Sequence, residues 1–539
     1  MGISRKQLEN LSIYLGSKYF SMNTATTKVE AFTCTTHPLI TGKLHSAKVF
    51  NFPIKIDRYQ RPYVWDEKKI AQLLHDLKDH SKGAYYLGSI LLHEHYEEEG
   101  LFIIDGQQRL TTLLLVYHTL SEYEVDAENL KLSYYHQESF INIQVANKLI
   151  QEFLSSGDNE QEIRESLNEL EITIIQTNDI DLAFTFFDSQ NSRGVRLKST
   201  DLLKSFHLRE INQLDVKGHE NKKYLQENSA KRWEHLQTFK GILNTEHDFA
   251  FELFHKLLWR VRRWIGEDVE KENRDLVIEE FQDGSVRSKK IEIPLYPTRQ
   301  NMLSDKLIES KENGLQRVGG RIKVSEKSSL LPFTLRQPIY RGLHYFLFAE
   351  KYAELLYELF RGETEDQEIK RFRRYVEVIV KENGYYLMEL FLVCSLTYYD
   401  KYGSKKLSEF AELVGLAHGI KRLEQYYIFR QSALKYIREY NLIDVITYSF
   451  RPIEVIESLK NHILPNQKER LTRHVDLTDK DNDGILDNAG VREQCFNAFH
   501  KYYNIHWNNL TDEAGDKLDL KKFADKVITS QKNGIHGKS

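Results

Sequence analysis

The chain has 539 residues, of which 41% are hydrophobic and 29% charged, the proportions of a folded globular protein rather than a disordered one. Lys and Arg number 75 and Asp and Glu 79, a net charge of −4, so there is no global positive field and any contact with nucleic acid must rest on local patches. The length suits roughly three domains with real cores.

The N-terminal "MGISRKQLENLSIYLG" lacks the apolar core of a secretory signal and reads as a surface helix. A Thr-rich stretch follows it, and residues 1–45 are expected to form an N-terminal helical arm. The three cysteines, Cys34, Cys394 and Cys495, are far apart and form no CxxC, which fits a reduced cytoplasmic setting and excludes a cysteine zinc site. The most apolar run, "LMELFLVCSL" at 387–396, is too short to span a bilayer and contains Glu389. No membrane role is expected.

From 46 to 215 short β-type runs alternate with helical periodicity, which predicts a compact α/β unit. Three polar segments stand out in it. In "YQRPYVW", Tyr59 to Trp65, Pro62 fixes a turn and leaves Gln60 and Arg61 facing outward, while Tyr63 and Trp65 pack or stack on a base. The same residues read equally as a surface turn pinned by its aromatics.

The second segment is "IDGQQRLTT", 104–112. Leu101 to Ile104 read as a buried strand, and Leu110, Leu113, Leu114 and Tyr117 recur at helical spacing. The polar cluster therefore opens a helix, where free N–H groups and the helix dipole favour an anion. Gly106 permits close backbone approach to a ligand, and Arg109 adds a fork-shaped cation suited to phosphate. A plain Asp N-cap with a glycine turn is the competing reading.

The third segment is "FFDSQNSRGVRLKSTDLLKSF", 186–206. A helix is expected to stop at Asn191–Gly194, and another to start near Ser199 or Thr200 with Asp201 in its first turn. Arg193, Arg196, Lys198 and Lys204 surround the junction with cations, as a polyphosphate requires. A helical corner with a glycine and a cap explains the pattern as well.

Residues 216–440 read as mainly helical, interrupted by 284–328, where ten Lys/Arg stand against five Asp/Glu among several Gly and Pro. This reads as a basic insertion, a solvated loop before a functional one. "LWRVRRW" (258–264) and "RFRRY" (371–375) interleave aromatics with base. They either line a DNA groove or form helices with a buried aromatic face. A small C-terminal domain is expected over 441–539. In it "DKDNDGILDNAG", 479–490, has Asp479, Asp481, Asp483 and Gly484 at calcium-loop positions, but Gly490 where the bidentate Glu belongs, so an Asp-rich turn is the better reading.

Taken in order, the "YQRPYVW", "YYLGSILL", "IDGQQRLTTL" and "NSRGVRLKSTDLLKS" segments resemble the DGQQR-motif family, the ParB-like nucleotidase domains of GmrSD-type modification-dependent restriction systems. The resemblance covers roughly 46–210 and implies an α+β chain with a ParB/sulfiredoxin-like N-terminal domain, then a mainly α-helical region and a small C-terminal domain. Residue by residue it implies Asp105, Gln108 and Arg109 as catalytic. Gln60, Arg61, Gly106, Gln107, Thr111, Asn191, Arg193, Lys198 and Lys204 become the nucleotide-binding set. Mg²⁺ or another divalent cation is expected with the NTP. A carboxylate beside a phosphate cradle orients water or holds the cation, and Arg109 neutralises charge that develops in phosphoryl transfer. No GxxxxGK[ST] occurs, so such an NTPase is not of the P-loop kind.

Relatives of this family also carry an HNH-type nuclease with a Glu-His-Ile-Leu-Pro segment. Here 461–467 reads "NHILPNQ", so His462 matches while Asn461 replaces the acid. His462, His506 and Asn509 are the nominated nuclease residues, and the missing acid tips the reading towards a degenerate domain. The implied function is an antiphage restriction factor that couples NTP hydrolysis to recognition or cleavage of phage DNA. The alternatives are a nucleotide-gated DNA-binding sensor that works through a partner nuclease, and a scaffold with a vestigial site. A neighbouring modification enzyme and a homo-oligomer are left open as partners.

Overall fold

The computed structural model describes residues 20–24, 27–57, 60, 62–80, 85–96, 98–120, 125–135, 137–179, 182–183, 186, 198–215, 219–243, 248–289, 296, 298, 307–311, 314–318, 327–425, 427–469, 471, 474–476, 490–505, 510 and 517–532. The chain divides into two compact units, residues 1–197 and 198–539.

The first unit is α+β. Its strands are β1 (Phe20–Thr24), β2 (Thr27–Thr35), β3 (Ile54–Ile56), β4 (Tyr85–His95), β5 (Gly100–Asp105), β6 (Leu130–Lys131) and β7 (Leu170–Thr177). They form one mixed sheet in the order β1-β2-β7-β4-β5-β3-β6. β4 runs parallel to β7 and antiparallel to β5, and β5 runs parallel to β3. β5 is buried along Leu101, Phe102, Ile103 and Ile104, the continuous apolar run of a central strand.

Strands occupy much of the stretch expected as a helical arm. In β2 the buried Glu30, Phe32 and Cys34 alternate with half-buried Ala31, Thr33 and Thr35. That period of two, set in β-branched residues, makes a strand pairing with β1 on one side and β7 on the other. Residues 1–19 lie outside the described residues. Helices α1 (Thr36–Ile40) and α2 (Lys43–Ser46) follow, then α3 (Glu67–Asp79), α4 (Gln107–Thr119), α5 (Gln137–Leu154) and α6 (Asn159–Glu169). α3 shows how the pattern works. Asp66 caps it by accepting from the Lys69 N–H at 3.0 Å, and Ile70, Leu73, Leu74 and Leu77 are buried on one face.

The second unit is mainly helical. It includes α7 (Ser199–Asn212), α8 (His219–Gln237), a rod over 249–263, α9 (Leu343–Phe360), α10 (Gln367–Val378), α11 (Tyr385–Tyr402), α12 (Leu407–Glu424) and α13 (Arg430–Glu439). The rod is π-helical over Glu252–Leu258. α7 starts at Ser199 with Asp201 in its first turn, as expected. The basic insertion contains a hairpin, β8 (Leu307–Lys311) with β9 (Gly314–Val318), in place of an all-loop segment. No described helix is long and apolar enough to cross a membrane.

The aromatic and basic segments are core, not groove. Arg260 is buried and bonds Glu389 at 2.7 Å and Glu272 at 3.1 Å, while Lys256 reaches the same two carboxylates at 3.3 and 3.1 Å. Burial works against the Glu272 charge, yet Arg260 and Lys256 bring its carboxyl down to about 2. Arg262 is bound by Glu280 at 2.6 Å and by the Leu335 and Gln337 carbonyls. In "RFRRY", Phe372 and Tyr375 are buried, and Arg373 donates to the Glu358 and Leu359 carbonyls. The cations of 258–264 are thus paired within the unit, so the buried-aromatic reading of that segment holds, while in 371–375 the aromatics are buried and Arg371 and Arg374 are exposed.

Three histidines in this unit are buried as neutral rings. Burial lowers His207 and His418 to about 3 and His344 to about 4. His207 is held by the Phe281 carbonyl at 2.9 Å and the Gly342 N–H at 3.2 Å, and stacks on Tyr345. Their folded pKa values lie below the unfolded one near 6.5, so their contribution is complete above pH 6.5 and is lost as pH falls towards 4. At pH 5 each ring should cost about 2 kcal/mol of stability. Thermal unfolding at pH 7.5 and 5.0 should therefore show a large drop in midpoint, made smaller by His418→Leu. A midpoint insensitive to pH across this window would contradict the assignment.

Candidate functional site

β5 ends at Asp105, Gly106 takes a left-handed conformation (φ 94°) as N-cap, and α4 begins at Gln107. A Cβ on Gly106 would lie 2.9 Å from Ile90 Cγ1 and 3.2 Å from both Ile90 Cα and the Ser89 carbonyl oxygen. Its close approach is therefore to strand β4, and only glycine fits. No side chain caps α4, in contrast with α3. Asp105 does not cap the helix: its Oδ2 accepts from Arg109 Nη2 at 3.0 Å. The same Nη2 donates to the Ser89 carbonyl at 2.7 Å. Gly88, at φ 117°, opens space for this guanidinium, since a Cβ there would stand 2.8 Å from Arg109 Nη1. β4 bulges against β7 between Tyr86 and Ser89, which is how a glycine inside a strand serves a neighbour. Arg109 Nη1 and Nε have no hydrogen-bond partner among the described residues, and both Arg109 and Asp105 are about a quarter exposed.

The upstream segment is locked onto this junction. Gln60 Nε2 donates to the Ile103 and Ile104 carbonyls at 2.7 and 3.0 Å, extending the hydrogen bonding of β5 beyond β3. Gln108, buried, spends its amide on the backbone of 62–64: Oε1 accepts from the Val64 N–H at 2.8 Å and Nε2 donates to the Pro62 carbonyl at 3.0 Å. Tyr63 is fully buried, its hydroxyl shared with Thr112 at 2.8 Å, its N–H donating to the Ser139 hydroxyl and its carbonyl accepting from Asn142 Nδ2. Burial pushes the Tyr63 phenol up to about 12. Thr111 is likewise buried, with its hydroxyl on the Gln107 carbonyl and against the Tyr134 hydroxyl at 2.6 Å. Gln107 is buried beside them.

Two of the three polar segments thus meet in one hydrogen-bonded cluster. Of the third, Asn191, Arg193, Gly194 and Arg196 lie outside the described residues, as does Arg61 of the first. Lys198, just before α7, pairs with Asp248 at 2.8 Å, and Lys204 is buried with its Nζ 4.0 Å from Glu234. Gly88 and Ser89, together with Ser139, Asn142 and Tyr134, are contributors that sequence reasoning missed. A lone glycine inside "YYLGSILL" was the available signal for the first.

His462 is exposed on a π-helical turn, Leu459–Ile463. His506 and Asn509 lie outside the described residues, as does the Asp-rich turn up to 489. No cluster of three His, Cys, Asp or Glu side chains able to hold a metal exists among the described residues. The three cysteines are free and buried, and burial raises Cys34 and Cys394 to about 12.

The family model of the GmrSD restriction endonuclease N-terminal domain matches residues 42–208, and that of a family of unknown function (DUF7834) matches 225–473. No curated protein matches the chain. The first match encloses the Gln60, Asp105 and Arg109 cluster. Over residues 42–208 the chain is thus similar to the GmrSD restriction endonuclease N-terminal domain.

Proposed function

We propose that the first unit binds a nucleoside triphosphate at the start of α4 and hydrolyses it, and that this hydrolysis is coupled to recognition or cleavage of phage DNA. The observation that carries the reading is the Arg109 guanidinium. It is fixed through Nη2 beside an uncapped helix N-terminus while Nη1 and Nε are left for a ligand. A helix N-terminus without a side-chain cap and a preset arginine fork are the elements that hold a phosphate chain. The restriction-family match supports DNA as the target of the coupled step. A ParB/sulfiredoxin-like fold is the natural frame for this reading.

A divalent cation fits as the partner of the nucleotide rather than as a resident of a protein cage. Mg²⁺ carried on phosphates needs only one or two protein carboxylates. Asp105 supplies one, with Oδ2 on Arg109 and Oδ1 without a partner among the described residues. Such an ion would neutralise charge on the phosphates. The chain's own residues divide the remaining work. Asp105 orients the attacking water, Arg109 holds the phosphate oxygens, and Gln60 and Gln108 are positioning residues that fix the β5–α4 junction.

Asp105→Ala should lower NTP turnover by roughly 10²-fold or more. The partly exposed Asp105–Arg109 pair contributes about 1 kcal/mol at most to stability, so the fold should persist. Phosphate release from each NTP with Mg²⁺, with and without phage DNA, is the measurement, and an unaltered rate in this variant would falsify the assignment. Arg109→Lys should weaken nucleotide binding by about tenfold, because a point charge cannot reproduce a planar fork.

Gly88→Ala should impair binding although Gly88 has no place in the ligand contact, since its methyl group would displace the guanidinium. Binding isotherms that match wild type would show that the Gly88 space does not serve Arg109.

A further inference from the structure

Where α8 and α9 end, the second unit has a half-open cavity of about 230 Å³. Phe239, Phe249, Leu356 and Tyr357 wall it, and Lys240 and Arg361 complete the lining. Phe239 stacks on Tyr357 with centroids 5.8 Å apart and planes 23° apart, and meets Phe249 edge-on at 5.7 Å. Tyr357 is 49% exposed, so its ring is half-seated in this wall and half available. The volume exceeds the roughly 150 Å³ that accepts one benzene and falls short of the roughly 300 Å³ where drug-sized pockets begin. It suits one flat ring system. The Thr238 hydroxyl is already spent on the His235 carbonyl at 2.6 Å, so the walls read a π face rather than a hydrogen-bonding pattern.

The two cations differ from most of the basic groups described above. Lys256, Arg260 and Arg262 are in ion pairs, whereas Arg373 is held by carbonyls alone. Lys240 has no carboxylate at ion-pair distance among the described residues. Among the described residues the Arg361 side chain makes a single hydrogen bond, Nη2 to the Gly241 carbonyl at 3.3 Å. The acid that bears on Arg361, Glu252, is buried and already holds the Ile242 and Leu243 N–H groups at 2.8 and 3.2 Å. It shapes the turn that carries Lys240.

We propose that this cavity takes a nucleobase stacked on Tyr357, with the attached phosphate held by Lys240 and Arg361. Aromatic stacking beside cations that are not held in ion pairs is the chemistry by which proteins hold single nucleotides and unpaired bases of a strand. Both sources present the same base and phosphate. The cavity lies within the 225–473 match to a family of unknown function and shares no residue with the α4 junction.

The test uses the full-length protein with two probes, dTMP by calorimetry and a labelled short oligo-dT by fluorescence anisotropy, each set against an abasic strand. Tyr357→Ala should weaken binding of the responsive probe roughly fivefold or more, and Tyr357→Phe should restore it. Lys240→Glu, an exposed change that leaves the core intact, should weaken the same probe. Tyr357-dependent binding of oligo-dT, lost in the abasic strand, assigns the cavity to an unpaired base. Tyr357-dependent binding of dTMP alone assigns it to a free nucleotide. Binding of neither probe, or binding that Tyr357→Ala and Lys240→Glu leave unchanged, overturns the proposal. NTP hydrolysis should be wild type in all these variants, so failure here is distinguishable from failure of the α4 assignment.

Discussion

The Arg109 guanidinium, gripped by the Asp105 carboxylate and the Ser89 carbonyl, is the interaction around which the first unit is arranged. It needs three things at once: a strand that ends at Asp105, a helix that begins two residues later, and a hole in β4. Gly106 supplies the turn and lets α4 lie against Ile90, and Gly88 supplies the hole. Gln60 and Gln108 then fasten the 60–64 segment to the same corner through five backbone groups: the carbonyls of Ile103, Ile104 and Pro62, the N–H of Val64, and the turn to Asp57. Preorganisation of this kind leaves little side-chain freedom to lose when an anion arrives.

Much of this corner was legible in the residues. The apolar run 101–104 and the spacing of Leu110, Leu113 and Tyr117 located the strand and helix, and the polar insert between them marked the junction. Partnership was not legible. Gln60 and Gln108 look outward-facing in sequence, whereas their amides replace missing backbone hydrogen bonds. Asp105 looks like a cap, whereas its charge goes to an arginine four residues on. Pairings across 20 to 46 positions, such as Ser89 with Arg109 or Pro62 with Gln108, follow from strand order, which periodicity alone does not encode.

Similar limits explain the errors in the rest of the chain. The alternating buried Glu30, Phe32 and Cys34 are a strand pattern that Thr-rich composition disguised as a helical arm. In "LWRVRRW" the buried aromatic face is legible from the spacing, but the acids that pair its cations are not. Glu272 and Glu280 lie about ten to eighteen residues away, and Glu389 is more distant still. Buried charge is paired charge, so a basic run inside an aromatic helix argues first for hidden carboxylates. Lys240 and Arg361 escaped notice for the opposite reason, being single cations in unremarkable turns that only the fold brings to one cavity.

The proposed function requires an NTP phosphate at the start of α4. The most direct measurement is a structure of the protein with a non-hydrolysable NTP and Mg²⁺. The account predicts phosphate oxygens within hydrogen-bonding distance of Arg109 Nη1 or Nε and of the first-turn amides of α4, with Asp105 facing the terminal phosphate. A nucleotide bound elsewhere, with the Arg109–Asp105–Ser89 cluster unchanged and no phosphate beside it, would contradict it.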